Sequence, residues 1–433
     1  MPYLNAVPDL PRRILVIRPD HLGDVLLTGP TLTRLRALWP DADVTLLVGP
    51  WCENVAERLP GVDRVRTLDF PYFDRRPRTS LLAPYRRLFD AARMLRASSG
   101  SSTSTRSPVA ATTRAPYDVA IVARDDDRWS ALLARAAGIP IVAGHDTPRT
   151  RWVLTHKLPA ARRPAHVAAA GVALVEAVGA WTSAASGSYG ANRSRRTYRS
   201  YRSHGSYEAD PRTNSNASST EAPPITPAAH PLSFRLTDDD RARAAALLGS
   251  NFTKGDGAPT RGPLAIHHGS GSPIKRWPPE RWAAVVRAAT APGEAVVLTG
   301  GPGEAALTAE LAAALAAVDR TSIDLAGKTD VATLAAVFER CRAVLGPDSG
   351  PLHLAVAVGT PSVHLYGPAA AARFGPWGAV ERHVVVGSGL ACAPCGRLEW
   401  GDVGDHPCVR TVEVGRVRAA LERAVRTGPT RTL

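Results

Sequence analysis

Short apolar runs alternate with stretches of helical period along most of the chain. Arg13–Ile17, Asp43–Val48, Val62–Leu68, Tyr117–Ala123 and Ile139–Ala143 are compact, branched runs that predict strands. Between them, apolar positions recur at helical spacing across Val25–Leu38, Trp51–Leu59, Tyr85–Ala97, Ser130–Ala137 and His166–Val178, which predicts helices. Beyond residue 231 the alternation resumes. Strands are predicted at Leu264–His268, Glu294–Leu298, Ile323–Leu325, Ala343–Leu345 and Ser362–Tyr366. Helices are predicted at Asp238–Leu248, Glu280–Thr290, Ala305–Ala317, Leu334–Cys341 and Pro351–Val358. Strands that alternate with helices imply parallel sheets covered on both faces, so both halves are expected to be doubly wound α/β domains.

Two stretches break this pattern. Residues 98–115 (SSGSSTSTRSPVAATTRA) and 182–230, rich in Ser, Arg, Tyr, Asn, Thr and Pro, lack the apolar content to bury a core. They are expected to be a flexible insert and a disordered linker. An amino-terminal domain over 1–181 and a carboxyl-terminal domain over 231–433 remain.

A chain of 433 residues suffices for two such domains, each with its own core. No run reaches the roughly 18 uninterrupted apolar residues of a membrane span. The amino terminus lacks a secretory pattern, because its apolar run, Ile14–Ile17, is short and follows a basic pair. Five cysteines in a chain this long do not make a disulfide scaffold, so a cytoplasmic compartment is expected. The formal charge of +14 comes mostly from scattered arginine, without a basic helix or an aromatic RNA-binding signature. That argues against nucleic acid as a partner. It leaves a solvated basic surface, or peripheral attraction to anionic lipid headgroups at the inner membrane face.

The candidate chemistry centres on residues 343–368, AVLGPDSGPLHLAVAVGTPSVHLYGP, a predicted strand–turn–helix–strand unit. Asp348 and Ser349 favour a helix N-cap, and Pro351 suits the first turn. The turn joins a strand's carboxyl end to a helix's amino end, where free N–H groups and the helix dipole favour a phosphate or another anion. Taken alone, the plainer reading is an ordinary capped helix. Three more loops end strands: Gly269–Lys275, Gly300–Glu304 and Gly327–Thr329. Together the four bring Ser270, Lys275, Glu304, Thr329 and Asp348 to one sheet edge. Lysine and amide donors suit a pyrophosphate, and a carboxylate suits ribose hydroxyls. In the first half, strand, glycine-containing loop and helix recur at Arg18–Asp24 (RPDHLGD).

Two nucleotide-fold halves joined by a linker resemble the GT-B architecture of sugar transferases. More narrowly, five segments resemble glycosyltransferase family 9, the ADP-heptose:lipopolysaccharide heptosyltransferases. They are RILVIRPDHLGDVLLTGP at 13–30, HHGSGSPIKRWPPERWAAV at 267–285, LTGGPGE at 298–304, DLAGKT at 324–329 and GPDSGPLHLAVAVGTPSVHLYGP at 346–368. Their order and spacing match along nearly the whole chain, apart from the two low-complexity stretches. The resemblance implies two Rossmann-like domains facing across a cleft. It also implies an inverting, metal-independent transfer, without cofactor, of a heptose-type sugar from an ADP-sugar donor to a lipopolysaccharide core or related lipid-linked glycan.

By the same resemblance, Asp24 of the LGD loop is the general base that deprotonates an acceptor hydroxyl. Read alone, it also fits an N-cap of the following helix. Lys275 is implied to meet the donor phosphates and to stabilise the leaving diphosphate. Glu304 is implied to meet the ribose, and Asp348, Ser349 and Gly350 the diphosphate and sugar. Gly23, Ser270, Gly327, Thr329 and His353 complete the implied donor side, although core packing suits His353 better. The Arg-rich segment 74–87 lies on the implied acceptor side, where it suits an acidic lipid-linked sugar or a solvated face. Family members differ in donor and acceptor, so exact substrates do not carry over. The alternatives are a nucleotide-sugar epimerase or hydrolase of the same fold, and a catalytically silent nucleotide-sugar-binding protein.

Near the carboxyl end, Cys392 and Cys395 form a CxxC pair, followed by His406 and Cys408. Such a set could hold a tetrahedral zinc ion, although the second pair is tighter than usual zinc spacing. Reduced structural cysteines are the plainer reading.

Overall fold

A computed structural model describes residues 11–73, 83–97, 115–187, 225–249, 262–292, 294–397 and 406–426. The insert at 98–114 and most of the expected linker, 188–224, lie outside the described residues.

In the first half, β1 (Arg13–Arg18), β2 (Asp43–Val48), β3 (Arg64–Thr67), β4 (Val119–Val122), β5 (Ile141–His145) and β6 (His156–Leu158) form a parallel sheet ordered β3-β2-β1-β4-β5-β6. Its helices are α1 (Leu22–Leu26), α2 (Gly29–Leu38), α3 (Glu53–Ala56), α4 (Ala83–Ala97), α5 (Arg128–Ala136) and α6 (Val167–Gly187). After α7 (Asp238–Leu248), the second half repeats the plan. Its strands β7 (Leu264–His267), β8 (Val296–Thr299), β9 (Ser322–Asp324), β10 (Ala343–Pro347), β11 (Ser362–Tyr366) and β12 (His383–Gly387) run in the order β12-β11-β10-β7-β8-β9. The helices are α8 (Pro279–Ala289), α9 (Ala305–Ala316), α10 (Val331–Glu339), α11 (Gly350–Ala357), α12 (Ala371–Phe374), α13 (Pro407–Arg410) and α14 (Val414–Arg426). The chain is thus an α/β protein with two Rossmann-like domains.

Alternation along β1 explains the layering. Ile14 and Val16 enter the apolar cluster on one face of the sheet, and Leu15 and Ile17 the cluster on the other. All four are fully buried, each stabilising by about 1.5–3 kcal/mol before entropy is counted. Ile14 pairs with Val44 on one side and Val119 on the other, which fixes the register. In each sheet the strand order reverses once, between β1 and β4 and between β7 and β10. The crevice beyond the carboxyl ends of those strands is where open parallel sheets bind ligands.

Several expectations shift. The single helix predicted over 25–38 is two helices, α1 and α2, separated at Leu27–Thr28. Thr28 N–H turns to Val25 O at 3.1 Å, and Thr28 Oγ1 donates to Asp24 O at 2.9 Å, so the hydroxyl takes the carbonyl that a continuous helix would use. Pro30, in the first turn of α2, has no N–H to offer. The helix predicted to end at Val178 continues as α6 to Gly187, so the first residues of the expected linker are helical. Residues 225–248 also tie the halves together. Arg235 N donates to Arg58 O at 3.0 Å, and Arg58 pairs with the buried Asp240 of α7 at 2.7 Å. One apolar cluster runs through both halves, with Leu35 and Val55 of the first, Leu232 and Phe234 of the connection, and Val337 of the second. Among the described residues, no helix is long and apolar enough to cross a membrane.

Candidate active site

The first wall of the site is a ladder of alternating charges at the reversal point of the first sheet. Arg18, the last residue of β1, is buried. Its Nη1 donates to Ala123 O at 2.8 Å and its Nη2 to Asp24 Oδ1 at 2.9 Å, while its Nε lies 2.8 Å from Asp20 Oδ2. Asp20 also pairs with Arg124, whose Nε donates to Asp126 Oδ1 at 2.8 Å. His21 occupies the N-cap of α1 and Asp24 bonds Arg18, so Asp24 is not the cap of its helix. The Asp24 side chain lies deep in the cleft yet keeps 32% of its surface exposed, within reach of a bound molecule. Burial pushes the Asp24 carboxyl above its ordinary value; Arg18 and Arg124 oppose this, and the Asp20 carboxylate adds to it. Burial works against the Arg18 charge, but Asp20 and Asp24 outweigh it and hold the guanidinium above its ordinary value.

This wall opens on a pocket of about 410 Å³. His145 and Arg163 of the first half complete its sides, and Arg373 and Phe374 reach in from the second. Asp125 sits between the two arginines, accepting from Arg163 Nη1 at 2.7 Å and from Arg373 Nη2 at 2.5 Å. Burial would raise the Asp125 carboxyl, but these two cations overcome it and hold it below the ordinary range. Burial pushes the His145 imidazole down to about 4, so it is neutral near pH 7.

The opposite wall is the predicted loop edge of the second sheet. Lys275 Nζ donates to Asp348 Oδ2 at 2.7 Å, with the two side chains 16% and 11% exposed. The two predicted phosphate-side residues are therefore partners of each other. Glu304 Oε2 accepts from Gly301 N at 2.8 Å, and its carboxylate presses on Gly269, where a Cβ would lie 2.0 Å from Oε1. Gly327 takes φ +69°, and its N–H donates to Gly300 O at 2.9 Å. That left-handed conformation is one most side chains resist. These contacts gather Gly269, Glu304 and Gly327 onto one rim. Ser270 is buried with its hydroxyl accepting from Ser272 N at 3.3 Å, and Thr329 is half-buried beyond Gly327. Ser349 holds the N-cap position of α11 without a side-chain cap bond.

The two walls touch. A methyl on Gly350 would strike the Leu22 side chain at 2.8 Å, and one on Gly23 would meet His353 at 3.1 Å. His353, implied on the donor side, is instead buried in this contact, and burial pushes it down to about 4. Tyr366, at the end of β11, feels both carboxylates. Its phenol is pushed well up by burial, then by Asp348 and by Asp24. Its Oη donates to Phe374 O at 2.5 Å. Tyr366 and Arg18 are unforeseen, although each ends a strand at the predicted edge. Asp125, Arg163 and Arg373 carry no motif.

Cys392 is exposed, Cys395 half-buried and Cys408 buried. Among the described residues, no three His, Cys, Asp or Glu side chains converge so as to hold a metal ion, so the cysteine–histidine set does not assemble into the zinc site its spacing suggested.

Residues 225–399 match the model of glycosyltransferase family 9 (heptosyltransferase). The match to that family rests on residues 225–399, which hold the whole of the second sheet. A Haemophilus influenzae lipooligosaccharide heptosyltransferase 2 is 36% identical over 97 residues, 22% of this chain and 28% of that protein. An Escherichia coli lipopolysaccharide heptosyltransferase 3 is 34% identical over 104 residues, 24% of this chain and 31% of that one. The aligned stretch thus spans less than a third of either relative. A family 9 glycosyl transferase structure from Veillonella parvula superposes with TM-score 0.65 at 22% identity, covering 96% of this chain and 98% of that one. The E. coli ADP-heptose heptosyltransferase II structure does so with TM-score 0.60 at 19% identity, covering 95% and 98%. These likenesses extend the GT-B fold over both halves. The family 9 match contains Lys275, Glu304 and Asp348, and leaves Asp24 outside it.

Proposed function

We propose that the chain is an inverting glycosyltransferase that moves a heptose-type sugar from an ADP-sugar to a lipid-linked glycan of the lipopolysaccharide-core class. The observation that supports this reading is the contact of the Asp24-bearing α1 with the amino end of α11, where Gly350 meets Leu22 and Gly23 meets His353. The heptosyltransferase names of its relatives support the sugar and acceptor class. In this reading the acceptor lies in the pocket at Asp24. Its hydroxyl oxygen attacks the anomeric carbon as that carbon's bond to the diphosphate oxygen breaks. Asp24 takes the hydroxyl proton, and a raised carboxyl pKa brings it nearer the working pH of a base. One base and one direct displacement invert the anomeric centre. Lys275 and the amino end of α11 stabilise the charge on the departing ADP, so the proposal needs no metal ion. Because Asp348 holds Lys275, the donor phosphates must share that ammonium.

The test is ADP release from ADP-heptose with and without a core-oligosaccharide acceptor. Acceptor-dependent release, lost by about a hundredfold or more in Asp24→Asn while ADP binding persists, is expected. Release independent of acceptor supports a hydrolase or epimerase instead. Binding without release supports a silent binder.

A further inference from the structure

Trp51 stands at the carboxyl edge of the first sheet, in a short 3-10 turn, Pro50–Cys52, that follows β2. Its side chain is 37% exposed, yet firmly seated. The indole lies on Gly49, where a Cβ would come 2.2 Å from Cζ2 and 2.3 Å from Cε2, so only glycine leaves room for it. Its Nε1 donates to Asp20 O at 3.0 Å. The thiol of the next residue, Cys52, reaches the same carbonyl at 3.7 Å. The exposed His21 ring leans on the indole, with centroids 5.7 Å apart and planes tilted by 46°. Apolar side chains scattered singly over a surface need no explanation. A ring held by three neighbours with more than a third of its surface bare is different, because its ordering is complete before any ligand arrives.

The neighbours of the ring tie it to the site. Asp20, whose carbonyl holds the indole, places its carboxylate in the charge ladder against Arg18 and Arg124 and lines the pocket. His21 precedes α1, which carries Asp24. α3, which begins at Glu53, packs against α1 and against α10 of the second half, so the Trp51 turn lies at the boundary of the two domains. A sugar ring that approaches Asp24 meets the indole at the same loop. One face of a pyranose presents C–H bonds and is apolar, so it packs on an aromatic face while its hydroxyls reach outward to polar groups. The His21 imidazole, beside the indole, is a hydrogen-bonding partner for such a hydroxyl.

We propose that Trp51, backed by His21, is a stacking platform for a pyranose ring of the acceptor glycan. Calling that glycan the acceptor rests on the proposed function, whereas saccharide binding at this ring does not. The Asp20 tether favours acceptor over donor, since the proposed nucleotide cradle belongs to the second half.

Two measurements on the full chain test this: calorimetric titration with a core oligosaccharide, and ADP release from ADP-heptose with the same oligosaccharide. Trp51→Ala is expected to weaken oligosaccharide binding and raise the acceptor KM about fivefold to tenfold, with kcat changed by less than about twofold and ADP affinity unaltered. Trp51→Phe keeps an aromatic face and loses the bond to Asp20 O, so it should stay near the parent values. Trp51→Leu fills the seat on Gly49 without a ring, so it should melt like the parent and lose the saccharide as alanine does. If Phe and Ala instead lower kcat alike, the side chain only anchors the Asp20 loop and the proposal falls. It falls too if the parent binds no oligosaccharide or if Trp51→Ala binds it undiminished. Lost ADP affinity in Trp51→Ala would make the ring a partner of adenine and overturn the proposal as well. Oligosaccharide binding that depends on Trp51, without acceptor-dependent ADP release, would sustain the platform and overturn the transferase reading instead.

Discussion

Gly23 and Gly350 are in contact across the domain boundary: a methyl on Gly23 would lie 3.3 Å from the Gly350 Cα. A methyl on Gly350 is the tighter fit, 2.8 Å from Leu22 with Leu22 Cβ at 2.9 Å, where the side chain has no freedom to move away. Gly350→Ala is therefore expected to cost about 1–3 kcal/mol by overpacking. By displacing Asp24 from the cradle it should also lower kcat/KM by about tenfold to a hundredfold. Gly23→Ala meets a ring edge at 3.1 Å and should be milder. Thermal melts and steady-state rates of the two variants check this ordering; unchanged rates in Gly350→Ala would show that the contact does not set the geometry.

The charge ladder makes a signed prediction about pH. A base must be deprotonated to act, so the acid limb of kcat/KM should lie above the ordinary carboxylate range, where burial puts Asp24. Asp20 raises Asp24 and Arg124 lowers it. Asp20→Asn should therefore move the acid limb down, and Arg124→Gln should move it up. A pH–rate profile of each variant decides the matter, and shifts of the same sign would remove Asp24 from the role of base.

The Lys275–Asp348 pair separates folding from binding. Lys275→Ala leaves a mostly buried carboxylate without its partner, and is expected to cost about 1–3 kcal/mol, less than a fully buried pair because both groups keep some exposure. The double variant Lys275→Met with Asp348→Leu should recover most of the melting temperature, since an apolar pair can replace an ionic one. It should not recover ADP binding or turnover. Calorimetry with ADP distinguishes the two effects, and wild-type affinity in the double variant would count against the cradle.

Buried histidines make the fold sensitive to acid. Burial holds His145, His268, His353 and His383 at about 4, against an ordinary value of 6.5. Between those values the unfolded chain binds more protons than the folded one, so stability is full above about pH 6.5 and falls as pH drops toward 4. Each such residue steepens the fall by up to about 1.4 kcal/mol per pH unit. Urea unfolding at pH 7.5, 6 and 5, conditions chosen to bracket roughly this window, should show the decline. His383→Gln should flatten it while weakening the bond that Ser362 Oγ makes to His383 Nδ1 at 2.8 Å. A stability independent of pH over this range would contradict the placement of these side chains.

The stretch 343–368 was the most legible part of the chain. Glycine and proline punctuate short apolar runs there, so β11 falls at the predicted residues and α11 begins one residue early. β6 has three residues and β12 exposes Val385 within an apolar run, so neither presents a clean period. α14 does carry helical spacing, at Val417, Ala420, Leu421 and Ala424, so that helix is written in the residues. The site divides the same way. Lys275, Glu304 and Asp348 stand near glycines at strand ends, where the sequence pattern gathers them on one edge, whereas Asp24 lies within α1 and its candidacy came from the family resemblance. Asp125 and Arg373 are 248 residues apart, and no local pattern foretells a pair that exists only once two domains have folded.

Arg373 belongs to the second domain yet helps enclose a pocket built mostly from the first. The two halves are therefore not interchangeable modules. A first domain without its own second domain would leave Asp125 with Arg163 alone of its two guanidinium partners, and the pocket open on the side that Arg373 and Phe374 close. Any change of side chain at Asp125 or at Arg373 therefore alters the pocket from both halves at once.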